Sequence, residues 1–171
     1  MLLAADQMAY QARALAQSDP FTLLARRSMD RAIEAERKAQ PGNFPIWATA
    51  AFTKGYCVRR VEEEDTGVTY VAVAPENLPE LDEVDERTAE IVTALRTDDD
   101  SLHAYLISDE ERLLDVLDQV IGSEVRNRIE NANANLNSRA RAELEDYLTY
   151  WVVRGYALRT AELAMGALVK A

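Results

Sequence analysis

A chain of 171 residues with 30 acidic against 19 basic side chains carries a formal net charge of −11, so long-range attraction to nucleic acid or to anionic lipid is disfavoured. Its hydrophobic fraction of 48% fits a single folded domain, residues 1–171, that buries its core without disulfides or a structural metal. The one cysteine, Cys57, excludes an intramolecular disulfide and points to a reducing compartment, the cytoplasm.

No stretch reaches the roughly 20 uninterrupted apolar residues of a membrane span. The amino-terminal MLLAADQMAYQARALAQ has neither a basic leader nor a long apolar run, so a cytosolic protein is expected. Residues 4–17 read as an alanine-rich amphipathic helix that Ser18-Asp19-Pro20 closes. Asp19 suits the N-cap of a second helix over residues 20–39, with Pro20 at its first position, where the missing amide costs nothing. Leu23, Leu24, Met29 and Ile33 form the apolar side of that helix. Its charges read as a solvated face, on which Glu34 precedes Lys38 in the favourable i,i+4 order.

After the break at Gln40-Pro41-Gly42, Asn43 is placed to cap a third helix with Pro45 in its first turn. Two readings of its end stand. In one it stops at Gly55 and residues 56–63 pair with residues 68–73 in a hairpin turning at Asp65-Thr66-Gly67. VTYVAV is β-branched and aromatic, and the run Glu62-Glu63-Glu64-Asp65 would face the negative end of a helix dipole. In the other the helix continues to about Glu64, because TAAFTKGYCVRRVE (49–62) aligns without gaps on TYWVVRGYALRTAE (149–162). Threonine, glycine, tyrosine, arginine and glutamate coincide, and Lys54 is matched by Arg154.

Residues 82–96 predict a fourth helix, residues 97–100 an acidic turn, and residues 101–107 a short helix or strand-like passage. Ser108 followed by Glu111 has the spacing of a capping box and opens a helix carrying Leu113, Val116, Leu117, Val120 and Ile121. That helix pauses at Gly122-Ser123, and the alternating asparagines from Asn131 to Asn137 mark its end. The last helix, residues 138–171, is capped by Ser138, has Lys170 at its negative end, and from Tyr147 onwards is apolar on nearly every side. The expected fold is therefore mainly α: a multi-helix bundle around a long buried C-terminal helix, with one small β-hairpin over residues 56–73 in the first reading. A lone hairpin is marginal in water, so it must pack on helices or pair with a second subunit, which makes a homodimer an expectation.

Three sets of residues carry candidate chemistry. If both Gly-Tyr segments are helical, Lys54 and Arg154 project within apolar arcs, where a cation needs a carboxylate or an anionic ligand. With Tyr56 and Tyr156 they form a candidate anion pocket, against the plainer reading that long basic stems snorkel to the surface. The two glycines, each costing about 1 kcal/mol against alanine in a helix interior, suit a close crossing of backbones. Asp98, Asp99, Asp100 and His103 form a candidate divalent-cation site, since hard cations prefer clustered carboxylates; capping and solvation account for the same acids.

Glu83 with Glu86, and Asp115 with Asp118, have the i,i+3 spacing that puts two carboxylates on one helix face. In this they loosely resemble the all-helical nucleotide pyrophosphatases, and the resemblance implies magnesium held over a pyrophosphate. Cys57 has no general base near it in sequence and reads as a small buried hydrophobe. A phosphate-binding glycine loop, a nucleophile elbow, a dinucleotide fingerprint and a paired-cysteine metal motif are all missing. The expected function is that of a non-catalytic cytosolic helical protein acting on a protein partner or on a second copy of itself. An anion sensor using Lys54 and Arg154 and a metal-dependent enzyme are the alternatives, and no cofactor is specified.

Overall fold

Buried residues recur at helical spacing along most of the chain, and in the computed structural model, which describes residues 3–40, 42–73, 86–96, 111–132 and 136–171, this produces a mainly α fold. In chain order the described elements are α1 (Ala5–Leu15), α2 (Leu23–Ala39), α3 (Phe44–Asp65), β1 (Tyr70–Ala72), α4 (Glu86–Arg96), α5 (Glu111–Ala132), α6 (Ser138–Ala164) and β2 (Leu168–Lys170). From Trp151 to Arg159 every residue of α6 is buried, as an apolar surface on all sides requires. Its main neighbour is α3, while α4 and α5 cover other sides; α1 lies against α3 and α5, and α2 against α3.

The two central helices touch backbone to backbone. A Cβ added to Gly55 would lie 1.8 Å from the carbonyl oxygen of Val152, and one added to Gly155 would lie 1.9 Å from that of Phe52. No side chain fits either gap, which is why both positions are glycine. Contacts ascend together along the pair, from Phe44 on Tyr147 through Phe52 on Trp151 to Glu63 on Arg159, so the helices run in the same direction. Each glycine meets the residue three positions before the other, giving the crossing an approximate two-fold symmetry.

That symmetry continues beyond the helices. Each central helix ends in a turn containing a left-handed glycine, Gly67 at φ 82° and Gly166 at φ 73°, a conformation disfavoured for side chains with a Cβ. A strand follows each. β1 and β2 pair antiparallel with Val71 opposite Val169. The ladder extends at both ends, where the Val73 amide donates to the Ala167 carbonyl and the Ala171 amide to the Thr69 carbonyl, each at 2.9 Å.

Several expectations are corrected. The hairpin over residues 56–73 does not form: α3 continues to Asp65, and the strand near Tyr70 pairs with Leu168–Lys170 instead. The acidic run is tolerated at the helix end because cations meet it: Arg59 on Glu62, Arg159 on Glu63 and Arg112 on Asp65. The last helix correspondingly stops at Ala164, so Lys170 belongs to a strand and not to a helix end. α2 starts at Leu23 because Thr22 accepts from the Ala25 amide at 3.0 Å, while Asp19 pairs with Arg26. Asn137, not Ser138, caps α6 by accepting from the Ala140 amide at 2.8 Å. Asn43 occupies the N-cap of α3 without a side-chain bond, and α5 runs straight through Gly122. The predicted capping box at Ser108 and the acidic turn lie outside the described residues. No helix among the described residues is long and apolar enough to cross a membrane.

Candidate functional site

Beyond the glycine crossing the repeated tyrosines exchange partners. The Tyr56 hydroxyl donates to Glu162 Oε1 at 2.6 Å and the Tyr156 hydroxyl to Glu62 Oε1 at 2.8 Å, so each copy of the Gly-Tyr segment binds the glutamate that ends the other. Glu162 also accepts from the Thr22 hydroxyl at 2.6 Å, which ties the start of α2 to α6. Arg159 holds Glu63 with a two-pronged contact, Nε to Oε2 at 2.8 Å and Nη2 to Oε1 at 2.7 Å, and its Nη1 donates to the Tyr56 oxygen at 3.1 Å.

Glu63, Arg159 and Glu162 are at most 5% exposed. Burial pushes the Glu162 carboxyl above its ordinary range, with Glu63 adding to the rise and Thr22, Tyr56 and Arg159 opposing it. Burial and Glu162 together raise the Tyr56 phenol, against the pull of Arg159, so the hydroxyl remains a donor. This cluster is a lock between the central helices: Tyr56, Arg159, Glu63 and Glu162 satisfy one another.

On another flank of the crossing lies a cleft of about 490 Å³ lined by Tyr10, Arg13, Ala14, Ala16, Gln17, Ala50, Thr53, Lys54 and Asn127. α1 presents Tyr10, Arg13 and Ala14 at the i, i+3, i+4 spacing of one helix face, and Gln17 follows in the turn after it. α3 presents Ala50, Thr53 and Lys54, and α5 supplies Asn127. Alanines at three of these positions leave the space open. Lys54 donates to Oε1 of Glu124, a carboxylate with no exposure at all, and Arg128 Nη2 lies 3.4 Å from the other oxygen. Arg128 Nε is buried without a hydrogen-bond partner among the described residues. Burial first, then the positive charge of Arg128 and Arg13, lowers Lys54 to about 8. Two cations, Lys54 and Arg128, thus share one carboxylate beside the cleft, and Arg13 adds a third positive charge to its lining.

The four residues expected to form an anion pocket are therefore not gathered in one place. Lys54 faces α1 and α5. Arg154, 5% exposed, donates to the Leu95 carbonyl on α4 and lies 5.1 Å from the Tyr150 ring. Tyr56 belongs to the lock, and Tyr156 donates to Glu62. The candidate metal set Asp98, Asp99, Asp100 and His103 lies outside the described residues, as does Glu83. Glu86, Asp115 and Asp118 are exposed, and no group of three or more potential metal ligands gathers among the described residues. Cys57 is fully buried and its thiol is pushed up to about 12 by that burial, despite Arg60, Arg159 and Lys54 nearby, which leaves it unreactive at neutral pH.

Sequence reasoning missed Arg13, Glu124, Asn127 and Arg128. The i,i+4 spacing of Glu124 and Arg128 was a visible signal of an ion pair, but that Lys54 completes it depends on how α3 meets α5. Comparison with protein-family models, with curated proteins and with solved structures finds no match to this chain.

Proposed function

We propose that this is a non-catalytic binding protein of the cytosol that holds a small anion in the cleft beside Lys54. The observation that carries the reading is a local excess of positive charge among the described residues, Arg13, Lys54 and Arg128 against Glu124, in a chain of net charge −11. Lys54 has three donor hydrogens and gives one to Glu124, leaving the others for a ligand oxygen. Arg13 adds a planar fork of donors suited to an oxyanion. This reading keeps Lys54 from the set expected from the sequence and adds Arg13, which lines the cleft, and Arg128, which pairs with the same Glu124.

Calorimetric titration with inorganic phosphate at constant ionic strength tests it. The wild-type chain should bind one phosphate, and Lys54→Met or Arg13→Ala should each weaken binding about tenfold or more, since a charge-assisted hydrogen bond contributes about 1.5–3 kcal/mol. An anion favours the protonated amine, and Lys54 in the free protein titrates at about 8. Affinity should therefore be full below that pH and fall as pH rises through it, which sulfate, with constant charge over the range, would report. No binding, or equal binding by the wild type and both variants, contradicts the proposal.

A second reading, action through a protein partner or a second copy of the chain, is favoured by Val71 and Val169. They stand opposite each other in the two-stranded sheet and are 47% and 46% exposed, and the edges of such ribbons are prone to pair with other strands. On this reading light scattering gives a mass above 19.2 kDa that Val169→Lys returns to the monomer value. A monomeric wild type removes self-association through these valines.

A further inference from the structure

We infer that the anion taken by the cleft is the phosphate of a nucleoside monophosphate, with the base against Tyr10. This rests on the anion reading above and deepens it.

A cleft of about 490 Å³ falls within the range of roughly 300–1,000 Å³ found for small organic ligands and is roomier than an inorganic oxyanion needs. The residues lining the remaining space suit a base. Tyr10 is 68% exposed although its neighbours Met8, Ala9 and Ala12 are buried in the core, so the ring contributes little to packing and stands at the rim of the cleft. Ala14 and Ala50 give smooth apolar walls, and Gln17 and Asn127 add two carboxamides.

An exposed aromatic ring offers a stacking surface to any base. A carboxamide carries a donor and an acceptor side by side, the pattern that reads the edge of a purine or pyrimidine. Tyr10 and Arg13 lie at i and i+3 on α1 and Gln17 in the turn after it, so a stacking ring, a cation and an amide line the same cleft. The charges also match. Arg13 and Lys54 line the cleft, and the Arg128–Glu124 pair adjoining Lys54 cancels, leaving a surplus of two against the roughly −1.5 to −2 carried by a phosphate monoester at neutral pH. Diphosphates and triphosphates would bring further negative charge into an acidic protein, and no further cation among the described residues lines the cleft to meet it.

The test is calorimetric titration of the full chain, wild type and Tyr10→Ala, with inorganic phosphate, ribose 5-phosphate and the mono-, di- and triphosphates of adenosine, guanosine, cytidine and uridine. At least one monophosphate should bind about tenfold or more tightly than ribose 5-phosphate, in line with the contribution of one stacked base. Tyr10→Ala should remove that gain, so that the monophosphate and ribose 5-phosphate bind it alike, and leave the unfolding midpoint unchanged, since the ring is mostly exposed. A monophosphate that binds no tighter than ribose 5-phosphate, or a gain that survives Tyr10→Ala, overturns this inference while the anion reading stands. Tighter binding by di- or triphosphates overturns the charge match and the assignment with it. Failure of every phosphate compound to bind overturns both readings.

Discussion

Gly55→Ala is expected to destabilise the protein by about 2–3 kcal/mol, although alanine is the better helix former by about 1 kcal/mol. The added Cβ would fall 1.8 Å from the Val152 carbonyl oxygen, and the atom it meets is backbone, so neither partner can rotate away and the helices must separate. Gly155→Ala meets the Phe52 carbonyl at 1.9 Å and should cost a similar amount. The double variant should cost less than the sum, because helices already forced apart by one methyl have room for the second. Gly122 is the internal control: it lies within α5, and a Cβ added there would have nothing within 4 Å, so Gly122→Ala should stabilise by up to about 1 kcal/mol. Thermal unfolding resolves these effects, with a shift of roughly 2–4 °C per kcal/mol for a chain of this size. If Gly55→Ala raised the midpoint as Gly122→Ala does, the two central helices would not cross at Gly55.

Arg159→Met should cost about 3–5 kcal/mol, the usual consequence of leaving a buried charge without its partner. Glu63, only 5% exposed, would lose both bonds of its two-pronged contact, and Tyr56 would lose a donor. Changing Glu63 and Arg159 together to methionine should recover most of the loss, since neither charge then remains to be solvated. A pH dependence accompanies the single variant. Glu162 already titrates above its ordinary range, and Arg159 is one of the groups holding it down. Without Arg159 it rises further. A carboxyl raised in the folded state binds more protons there than in the unfolded chain, so stability falls as pH rises from the unfolded carboxylate value, about 4.3, through the raised one. The defect should therefore be smaller near pH 4 than at pH 7, as denaturant midpoints at about those two pH values would measure.

The central crossing was legible because glycine and tyrosine recur with the same neighbours in two stretches of helical character, and glycine inside a helix needs a reason. What misled the local reading was the run from Glu62 to Asp65. Its conflict with the helix dipole is visible in sequence, whereas Arg159 and Arg112, which offset it from α6 and α5, are distant. The strand around Tyr70 announced itself by its β-branched and aromatic residues. Its partner did not, because Leu168, Val169 and Lys170 continue a helical pattern just as well, and only Gly166 breaks it.

The candidate site divides in the same way. Lys54 was identifiable as a cation in an apolar arc that needs a counter-charge, and Glu124 supplies one. Arg13 resembled any charged residue on an amphipathic helix, and the cleft exists only because α1, α3 and α5 meet beside it. A surplus of charge at such a junction is a tertiary property.

The most direct test of the anion site is a phosphate titration followed by the backbone amide resonances of the isotopically labelled chain. Saturable shifts concentrated in residues 10–17, 50–54 and 124–128, absent in Lys54→Met, are the predicted result. Shifts centred instead around Arg154 and Leu95, or no saturable shift anywhere, would contradict the proposed anion site in the cleft beside Lys54.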